Sequence, residues 1–209
     1  MPSLLDVKAL ACERDDESIF AGLDFELSAG ELIHVLGANG AGKTSLLRIL
    51  AGLMLPAAGE VHYQQRSIDQ LGVDYRSQLL YQGHANGVKT ALTPLENLEI
   101  ACALQSHLVP EKMLEALTWV GLEHYVEQPC RQLSAGQNRR VSLARLFMTR
   151  APLWILDEPF TAIDVSGTKL LEQRLASHCQ SGGAVILTSH HTLKDAGSVR
   201  YLSLDASYA

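Results

Sequence analysis

The chain has 209 residues, of which 47% are hydrophobic and 19% are charged, and this composition is typical of a globular protein that buries a sizeable core. The formal net charge of -6 argues against nucleic acid as the main partner, because binding to a phosphate backbone usually needs a dominant basic face. The four scattered cysteines form no C-x-x-C pair, which predicts reduced thiols rather than a zinc site or a disulfide framework.

The start of the chain and its apolar runs predict no targeting or membrane-spanning segment. MPSLLDVKALACERDDE lacks a basic flank followed by an apolar stretch, so no signal peptide is expected. No apolar run approaches the ~18 residues that a spanning helix needs. We therefore expect the protein inside the cell, with any membrane association made through a partner.

Taken in chain order, the apolar runs predict an α/β protein. The first 30 residues predict an antiparallel strand pair, LIHVLG (32 to 37) a central strand, and GEVHYQ (59 to 64) a further edge strand. LWILDE (153 to 158) and AVILTS (184 to 189) predict two more central strands, the last of the chain. Short runs of this kind, alternating with helical patterns, are typical of a mainly parallel sheet.

Helix signals replace strand signals between about residues 90 and 150. TPLENLEIACALQ begins with Thr93 as an N-cap, Pro94 at the first helical position and Glu96 at the capping-box position. EKMLEALTWVGLEHY predicts a second helix, and a third is expected after Gly136. These segments predict a helical insertion in the α/β core.

GANGAGKT (37 to 44) matches the phosphate-loop pattern G-x-x-x-x-G-K-[ST], and it lies between a predicted strand and a predicted helix. Glycines let the backbone curl so that its N–H groups face phosphate oxygens, at a helix N-terminus whose dipole is positive. Lys43 is expected to reach the β and γ phosphates, and Thr44 to offer a hydroxyl to Mg²⁺. The predicted nucleotide-binding residues of this loop are Gly37, Ala38, Asn39, Gly40, Ala41, Gly42, Lys43, Thr44 and Ser45.

Two further predicted strands end in residues suited to nucleotide hydrolysis. Asp157 and Glu158 follow an apolar strand, at the sheet edge where open α/β proteins bind ligands. Asp157 is suited to hold Mg²⁺, and Glu158 to polarise a water molecule as general base. His190, directly after LTS, is expected to contact the γ-phosphate and to orient the water or the base, whereas His191 is interpreted as a surface residue.

LSAGQNRR (133 to 140) predicts a second anion-binding helix N-terminus, about ninety residues after the first. A second such site is redundant on one nucleotide. The second site would instead be used if it covered the nucleotide bound by another copy of the chain. This arrangement predicts a two-fold dimer with two ATP molecules at its interface.

The motifs GANGAGKT, LSAGQNRR, LWILDEPFTAID and LTSH, in this order and spacing, resemble those of the ATP-binding subunits of ABC transporters over essentially the whole chain. The resemblance implies a P-loop NTPase (RecA-like) core at residues 1–85 and 151–209, and a helical subdomain at residues 86–150 that carries the signature motif. It implies ATP and Mg²⁺ as cofactors. The residues that it implies at the partner's nucleotide or at the dimer interface are Ser134, Gly136, Gln137 and Asp164.

Three positions depart from the family pattern. Ala135 replaces the usual glycine, a change that a helix N-terminus tolerates. The aromatic residue that usually stacks on adenine is missing near position 14, so Arg14 is the candidate for stacking on the base. The family's glutamine before the helical subdomain aligns by count with His84, which then contacts the Mg²⁺ shell or the water, and Gln82 is the alternative.

LACERDDESIF, GHANGVKTALTPLENL and APLWILDEPFTAID resemble in particular the ATP-binding subunits of cytochrome c maturation, the CcmA or haem-exporter type. This resemblance implies a peripheral subunit on the cytoplasmic face of the bacterial inner membrane, paired with a multispanning, CcmB-like subunit. It also implies an ATP-driven step that exports haem or releases a haem-loaded carrier. The scattered histidines form no haem-ligand pattern, so no direct haem binding is expected.

Two other classes of P-loop protein fit less well. ABC ATPases that act on DNA or ribosomes need two cassettes or a long coiled-coil insertion, and this chain has one cassette with about fifty residues between His84 and Ser134. A small-molecule kinase has no use for LSAGQ and TAID. A transporter subunit is expected to sediment with membranes only when its partner is present.

Overall fold

The structure is a computed structural model that describes residues 3–15 and 17–204. Within these residues the chain forms nine strands and seven α-helices, which in chain order are β1 (Leu5–Arg14), β2 (Glu17–Leu27), β3 (Leu32–Leu36), α1 (Lys43–Leu50), β4 (Ala58–Tyr63), β5 (Arg66–Ser67), α2 (Ile68–Leu71), α3 (Val73–Ser77), β6 (Leu79–Gln82), α4 (Pro94–Leu104), α5 (Met113–Trp119), α6 (Ala135–Ala144), β7 (Leu153–Asp157), α7 (Val165–Gln180), β8 (Ala184–Thr188) and β9 (Val199–Ser203). Short 3-10 helices cover Pro110–Lys112, Cys130–Gln132 and Arg145–Phe147.

A five-stranded sheet, in the order β6-β7-β8-β3-β9, is parallel throughout. Its three interior strands, β7, β8 and β3, are the three predicted central strands, and their mainly apolar sequences, interrupted in β3 by the buried His34, fit burial on both faces. The predicted α/β fold with a parallel sheet is confirmed. The sequence interpretation was wrong to end the strands at residue 189, because β9 adds a parallel strand beside β3. It also missed β6, at the opposite edge.

A second sheet is antiparallel, in the order β2-β1-β4-β5. Its first two strands are the predicted antiparallel pair. The prediction that residues 59 to 64 form an edge strand was wrong, because β4 lies between β1 and the two-residue β5. Gln64 and Gln65 have φ values of 48° and 68°, and this tight turn folds the chain back to form the true edge.

The helices between residues 90 and 150 begin and end at local signals. At the start of α4, Thr93 Oγ1 accepts from Glu96 N at 3.2 Å and Glu96 Oε2 accepts from Thr93 N at 2.8 Å, so the predicted capping box is confirmed. The second helix is shorter than the predicted run, because Gly121 adopts a φ of 71° just after α5. The third begins at Ala135 rather than after Gly136.

Alternate residues of the parallel strands face two separate hydrophobic clusters. Leu153 and Ile155 of β7 pack in a cluster with α1 and the antiparallel sheet. Trp154 and Leu156 pack in the other cluster, which contains the buried hydrophobic residues of α6 and α7. The core therefore lies on both sides of the sheet, whose C-terminal edge stays open between the clusters. In the described part of the chain, no helix is both long enough and apolar enough to cross a membrane.

Candidate active site

The predicted phosphate loop connects the end of β3 to the start of α1. Gly40 and Gly42 have φ values of 90° and 88°, a conformation that side-chain-bearing residues rarely adopt. At Gly42 a Cβ atom would also lie 2.4 Å from Cγ2 of Ile19, which belongs to β2. The loop thus turns tightly against the antiparallel sheet, and glycine is required there for two separate reasons.

The N-terminus of α1 presents positive charge to this loop. Among the described residues, no side chain caps the helix at Gly42, and its first turn contains no acidic residue. Lys43 Nζ donates to the carbonyl oxygens of Gly37 at 2.5 Å and Ala38 at 2.9 Å, so its ammonium group lies over the loop. A lysine and a helix dipole directed at one curled loop are suited to bind phosphate groups.

The Asp157 carboxylate lies between two threonine hydroxyls at the end of β7. Thr44 Oγ1, in the first turn of α1, donates to Asp157 Oδ2 at 2.9 Å. Thr188 Oγ1, at the paired position of β8, donates to Asp157 Oδ1 at 2.7 Å. Asp157 as a whole residue is only 2% exposed, and the two hydroxyls fix the orientation of its carboxylate. Asp157 and Thr44 therefore offer two oxygen ligands to one cation.

Glu158 has an unusual backbone conformation that is held by hydrogen bonds. Its φ is 49°, and its N–H donates to the hydroxyl of Thr188 at 3.0 Å. Its side chain reaches His190, whose N–H donates to Oε2 at 3.3 Å and whose Nε2 lies 3.6 Å from Oε1. The Glu158 side chain is largely buried whereas the His190 side chain is 72% exposed, so the histidine is the solvent-accessible member of this pair.

One cleft of ≈ 300 Å³ collects most of the predicted site residues. It lies where the phosphate loop, the end of β7 and the segments after β6 and β8 meet. Its lining residues are Arg14, Asn39, Gly40, Gly42, Lys43, Thr44, Ser45, His84, Asp157, Glu158 and His190. The structure thus brings together residues from five separate segments of the sequence.

The two alternatives for the glutamine position occupy different surroundings. His84 is exposed and lines the cleft. Gln82 is the last residue of β6 and is only 1% exposed, and its amide makes no hydrogen bond within the described residues. Arg14, the candidate for stacking on the base, lines the cleft at the end of β1 and forms an exposed ion pair with Asp15 at 3.5 Å.

The residues predicted to act on a partner's nucleotide do not line this cleft. Ser134 is the N-cap of α6, where its Oγ accepts from Gln137 N at 3.2 Å and Gln137 Oε1 accepts from Ser134 N at 2.8 Å. Gln137 therefore closes the helix end with a capping box. At Gly136 a Cβ atom would lie 3.1 Å from the carbonyl oxygen of Ala162, so α6 packs closely on the segment before α7.

Asp164 is the N-cap of α7 and a strong acceptor. Its carboxylate accepts from Arg140 Nη2 at 2.6 Å, from Ser166 Oγ at 2.9 Å and from Gly167 N at 3.1 Å. The hydrogen bond from Arg140, followed by those from Ser166 and Gly167, lowers the pKa of Asp164 to about 2. The residue is thus fixed as an anion at the start of α7.

Sequence reasoning missed a buried support behind the histidine pair. Glu172 of α7 is 3% exposed and accepts from Lys194 N at 3.2 Å and from Asp195 N at 2.9 Å, while its Oε1 lies 2.8 Å from His191 Nε2. The interpretation of His191 as a surface residue was wrong, because it is half-buried against this carboxylate and Phe160. Burial opposes ionisation of Glu172, but the hydrogen bonds from Asp195, His191 and Lys194 keep its pKa below the usual value.

Comparisons with known proteins agree with this geometry. The sequence model of the ABC transporter family matches residues 20–161. The chain is 51% identical over 207 residues, 99% of both chains, to the cytochrome c biogenesis ATP-binding export protein CcmA of Escherichia coli O157:H7. It is also 51% identical, with the same coverage, to the protein of that name from Shigella dysenteriae serotype 1 (strain Sd197).

Solved structures share the fold. The ATP-binding subunit of an ABC transporter superposes with a TM-score of 0.80 at 26% identity, covering 90% of this chain and 80% of that one. A dimeric ATP-binding cassette in a post-hydrolysis state, bound to ADP and phosphate, superposes with a TM-score of 0.83 at 22% identity, covering 97% of each chain. The fold is therefore that of nucleotide-binding cassettes.

Proposed function

Since the chain belongs to the ABC transporter family and, within it, to the cytochrome c biogenesis ATP-binding export proteins of the CcmA type, we propose that it is the ATP-hydrolysing, energy-coupling subunit of a transporter complex that acts in cytochrome c biogenesis. The observation that carries this proposal is the cleft in which the phosphate loop, Asp157, Glu158 and His190 meet. The step that this complex drives with ATP is either the export of haem or the release of a haem-loaded carrier.

The donor set beside the phosphate loop supports Mg²⁺ as the cation that accompanies ATP. The Thr44 hydroxyl and the Asp157 carboxylate are hard oxygen ligands 2.9 Å apart, which is the chemistry that Mg²⁺ prefers. His84 lines the same cleft and is our candidate for the water shell of the cation, in preference to the buried Gln82. When bound, the cation neutralises charge on the β and γ phosphates.

The remaining residues of the cleft have separate roles in hydrolysis. The loop from Gly37 to Ser45 holds the phosphates, with Lys43 beside the β and γ groups. Glu158 takes the proton of the attacking water as general base, and His190, 3.6 Å from its carboxylate, orients the water and the γ-phosphate. Arg14 at the mouth of the cleft stacks on the base.

A second copy of the chain completes each ATP site in this proposal. Ser134 and Gly136 lie at a helix N-terminus without an acidic first turn, outside the cleft of their own chain, and they contact the γ-phosphate held by the partner. Gln137 belongs to the same in-trans group, and its capping box holds the helix end in place. Asp164 lines the interface between the two copies.

The membrane side of the proposal uses the helical subdomain at residues 86–150, inserted into the core formed by residues 1–85 and 151–209. A groove of mixed polarity between this subdomain and the core carries the exposed apolar side chains of Leu53, Val73 and Leu104, and these support a contact with a multispanning, CcmB-like subunit. The chain is then peripheral, at the cytoplasmic face of the inner membrane. ATP binding closes the dimer and hydrolysis reopens it.

The experiment that tests this proposal replaces Glu158 by Gln in the native host, with the exposed Glu26→Gln of β2 as matched control. Both variants are expected to reach the membrane. Covalent haem in c-type cytochromes is expected to be lost with Glu158→Gln only, while other haem proteins stay normal. If the Glu158→Gln variant lost its ATPase activity but c-type cytochromes stayed normal, the protein would still be an ATPase. Its place in cytochrome c biogenesis would then be refuted.

The shared site is tested with mixed dimers. Lys43→Ala is expected to weaken ATP binding, whereas Glu158→Gln is expected to retain binding and to trap a closed dimer. A Ser134→Arg chain mixed with wild type is expected to inactivate the ATP site that it completes in the other chain. Full activity of the mixed dimers would refute the two-chain site.

A further inference from the structure

Two consecutive arginines of α6 hold both ends of the segment from Glu158 to Asp164. Arg139 Nη2 donates to the Glu158 carbonyl oxygen at 2.6 Å, and Arg140 Nη2 donates to Asp164 Oδ1 at 2.6 Å. Between these two points, Gly136 of the same helix packs against Ala162. The helix that carries the signature motif is therefore tied to the segment that begins with the catalytic glutamate.

Arg139 also reaches a third part of the chain. Its Nη1 donates to Asn86 Oδ1 at 2.9 Å, in the loop that joins β6 to α4. Arg139 itself is only 2% exposed, and both of its bonds are partly shielded from solvent. One buried guanidinium thus connects α6, the backbone of Glu158 and the loop that contains His84.

The bond to Glu158 acts on a backbone conformation that needs support. The φ of Glu158 is 49°, which is unfavourable for a residue with a side chain. Thr188 fixes its N–H and Arg139 fixes its carbonyl oxygen, so the peptide groups on both sides of its Cα are held. Charge-assisted hydrogen bonds of this kind are short and about twice as strong as neutral ones.

The charge of Arg139 is balanced by the site itself. Burial lowers the pKa of its guanidinium, and the carboxylates of Asp157 and Glu158 oppose that shift. The two carboxylates thus favour the charged form of the buried guanidinium. The arginine therefore supports the active site both by geometry and by charge, although it does not line the cleft.

We propose that Arg139 is a positioning residue that sets the Glu158 carboxylate and couples it to movements of α6. This inference rests on the two-chain site described above. The N-terminus of α6 contacts the nucleotide of the partner while Arg139, one turn further along, holds the base that acts on the nucleotide of its own chain. Closure on one ATP is thereby transmitted to the catalytic residue at the other.

The test compares Arg139→Gln and Arg139→Lys with Arg150→Gln, a matched control at an exposed arginine. In the transporter complex, Arg139→Gln is expected to lower kcat for ATP by about 10- to 100-fold, because a small misplacement of a catalytic group costs that much. The KM for ATP is expected to change by less than about twofold. Arg139→Lys, which keeps the charge and one donor, is expected to restore at least half of the lost activity on a logarithmic scale.

A second measurement does not depend on ATPase activity. Amide hydrogen exchange of the full chain is expected to become faster at residues 158–164 and 83–93 in Arg139→Gln, and to stay unchanged in α1. Unchanged exchange in these segments, or a kcat within twofold of wild type, would overturn the proposed role of Arg139. A parallel loss of kcat, ATP affinity and melting temperature without rescue by Lys would also overturn it. Absence of ATPase in the wild-type complex would overturn the proposed function instead, and exchange would still decide the role of Arg139.

Discussion

The substitution Gly42→Ala tests how tightly the antiparallel sheet shapes the phosphate loop. The new Cβ would lie 2.4 Å from Ile19 Cγ2 and 3.1 Å from Phe20 Cδ1. The Ile19 methyl group is attached to a β-branched carbon, so it moves only if the side chain or β2 moves. The φ of 88° costs roughly 1–2 kcal/mol for a side-chain-bearing residue, and overpacking costs about 1–3 kcal/mol. Together they lower the free energy of unfolding by about 2–5 kcal/mol.

Gly40→Ala is the matched control within the same loop. Its φ of 90° is nearly the same, but a Cβ there would meet no atom within 4 Å. Only the conformational term of roughly 1–2 kcal/mol applies to this variant. The two variants should therefore differ by about 1–3 kcal/mol, the overpacking term alone.

Urea unfolding of both variants and of the wild type measures this difference, and a fluorescent ATP analogue measures binding. We expect Gly42→Ala to bind the analogue at least tenfold more weakly than Gly40→Ala, because relief of the clash moves the N–H groups that face the phosphates. Equal unfolding free energies for the two variants would refute the reasoning, since only Gly42→Ala creates close contacts with Ile19 and Phe20.

Three further predictions concern titratable groups outside the cleft. Glu172→Gln should lower the free energy of unfolding by about 1–3 kcal/mol and slow ATP hydrolysis, because a buried acceptor of backbone N–H groups beside His191 is lost. Urea unfolding and ATPase assays check this prediction. A variant as stable as the wild type would contradict it. Burial, and to a smaller extent the charge of Arg174, lowers the pKa of His178 to about 4 in the folded chain. As pH falls below 6.5, this histidine is therefore protonated in the unfolded chain before it is protonated in the folded one. About 3 kcal/mol of the free energy of unfolding is lost by pH 4 as a result. Unfolding curves of His178→Phe should lack this part of the pH dependence, and the same slope as wild type would contradict the assignment. The ionised Asp164 carboxylate contributes to the free energy of unfolding above pH 3.8, and this contribution is lost as pH falls to about 2. Asp164→Asn keeps an N-cap but should remove this pH-dependent contribution. Acid-unfolding curves that coincide with those of the wild type would contradict the prediction.

The sequence predicted the interior of the fold better than its edges. β3, β7 and β8 are buried on both faces, so their sequences are mainly apolar and easy to recognise, even with His34 inside β3. β6 has four residues and β9 is half exposed, so neither offers a long apolar run or a clean alternation. Their pairing depends on the neighbouring strand, which no local pattern contains.

The candidate site divides in the same way. Lys43, Asp157 and Glu158 belong to contiguous motifs whose chemistry can be interpreted residue by residue. Arg139 and Glu172 act through partners that are 19 or more residues away in the sequence, and they became identifiable only from the folded chain. The two arginines after LSAGQ were visible as a charged pair, but their different targets were not.

The two hydrophobic clusters on either side of the parallel sheet restrict the length that β7 can have in chains of this family. Leu153 and Ile155 serve one cluster while Trp154 and Leu156 serve the other. One inserted or deleted residue within β7 would exchange these assignments and turn Asp157 to the opposite side of the sheet. Substitutions within β7 can be accommodated by repacking of neighbouring side chains. The length of β7, in contrast, is as much a requirement for hydrolysis as the carboxylate at the end of the strand. Insertions are therefore expected in the surface loops alone.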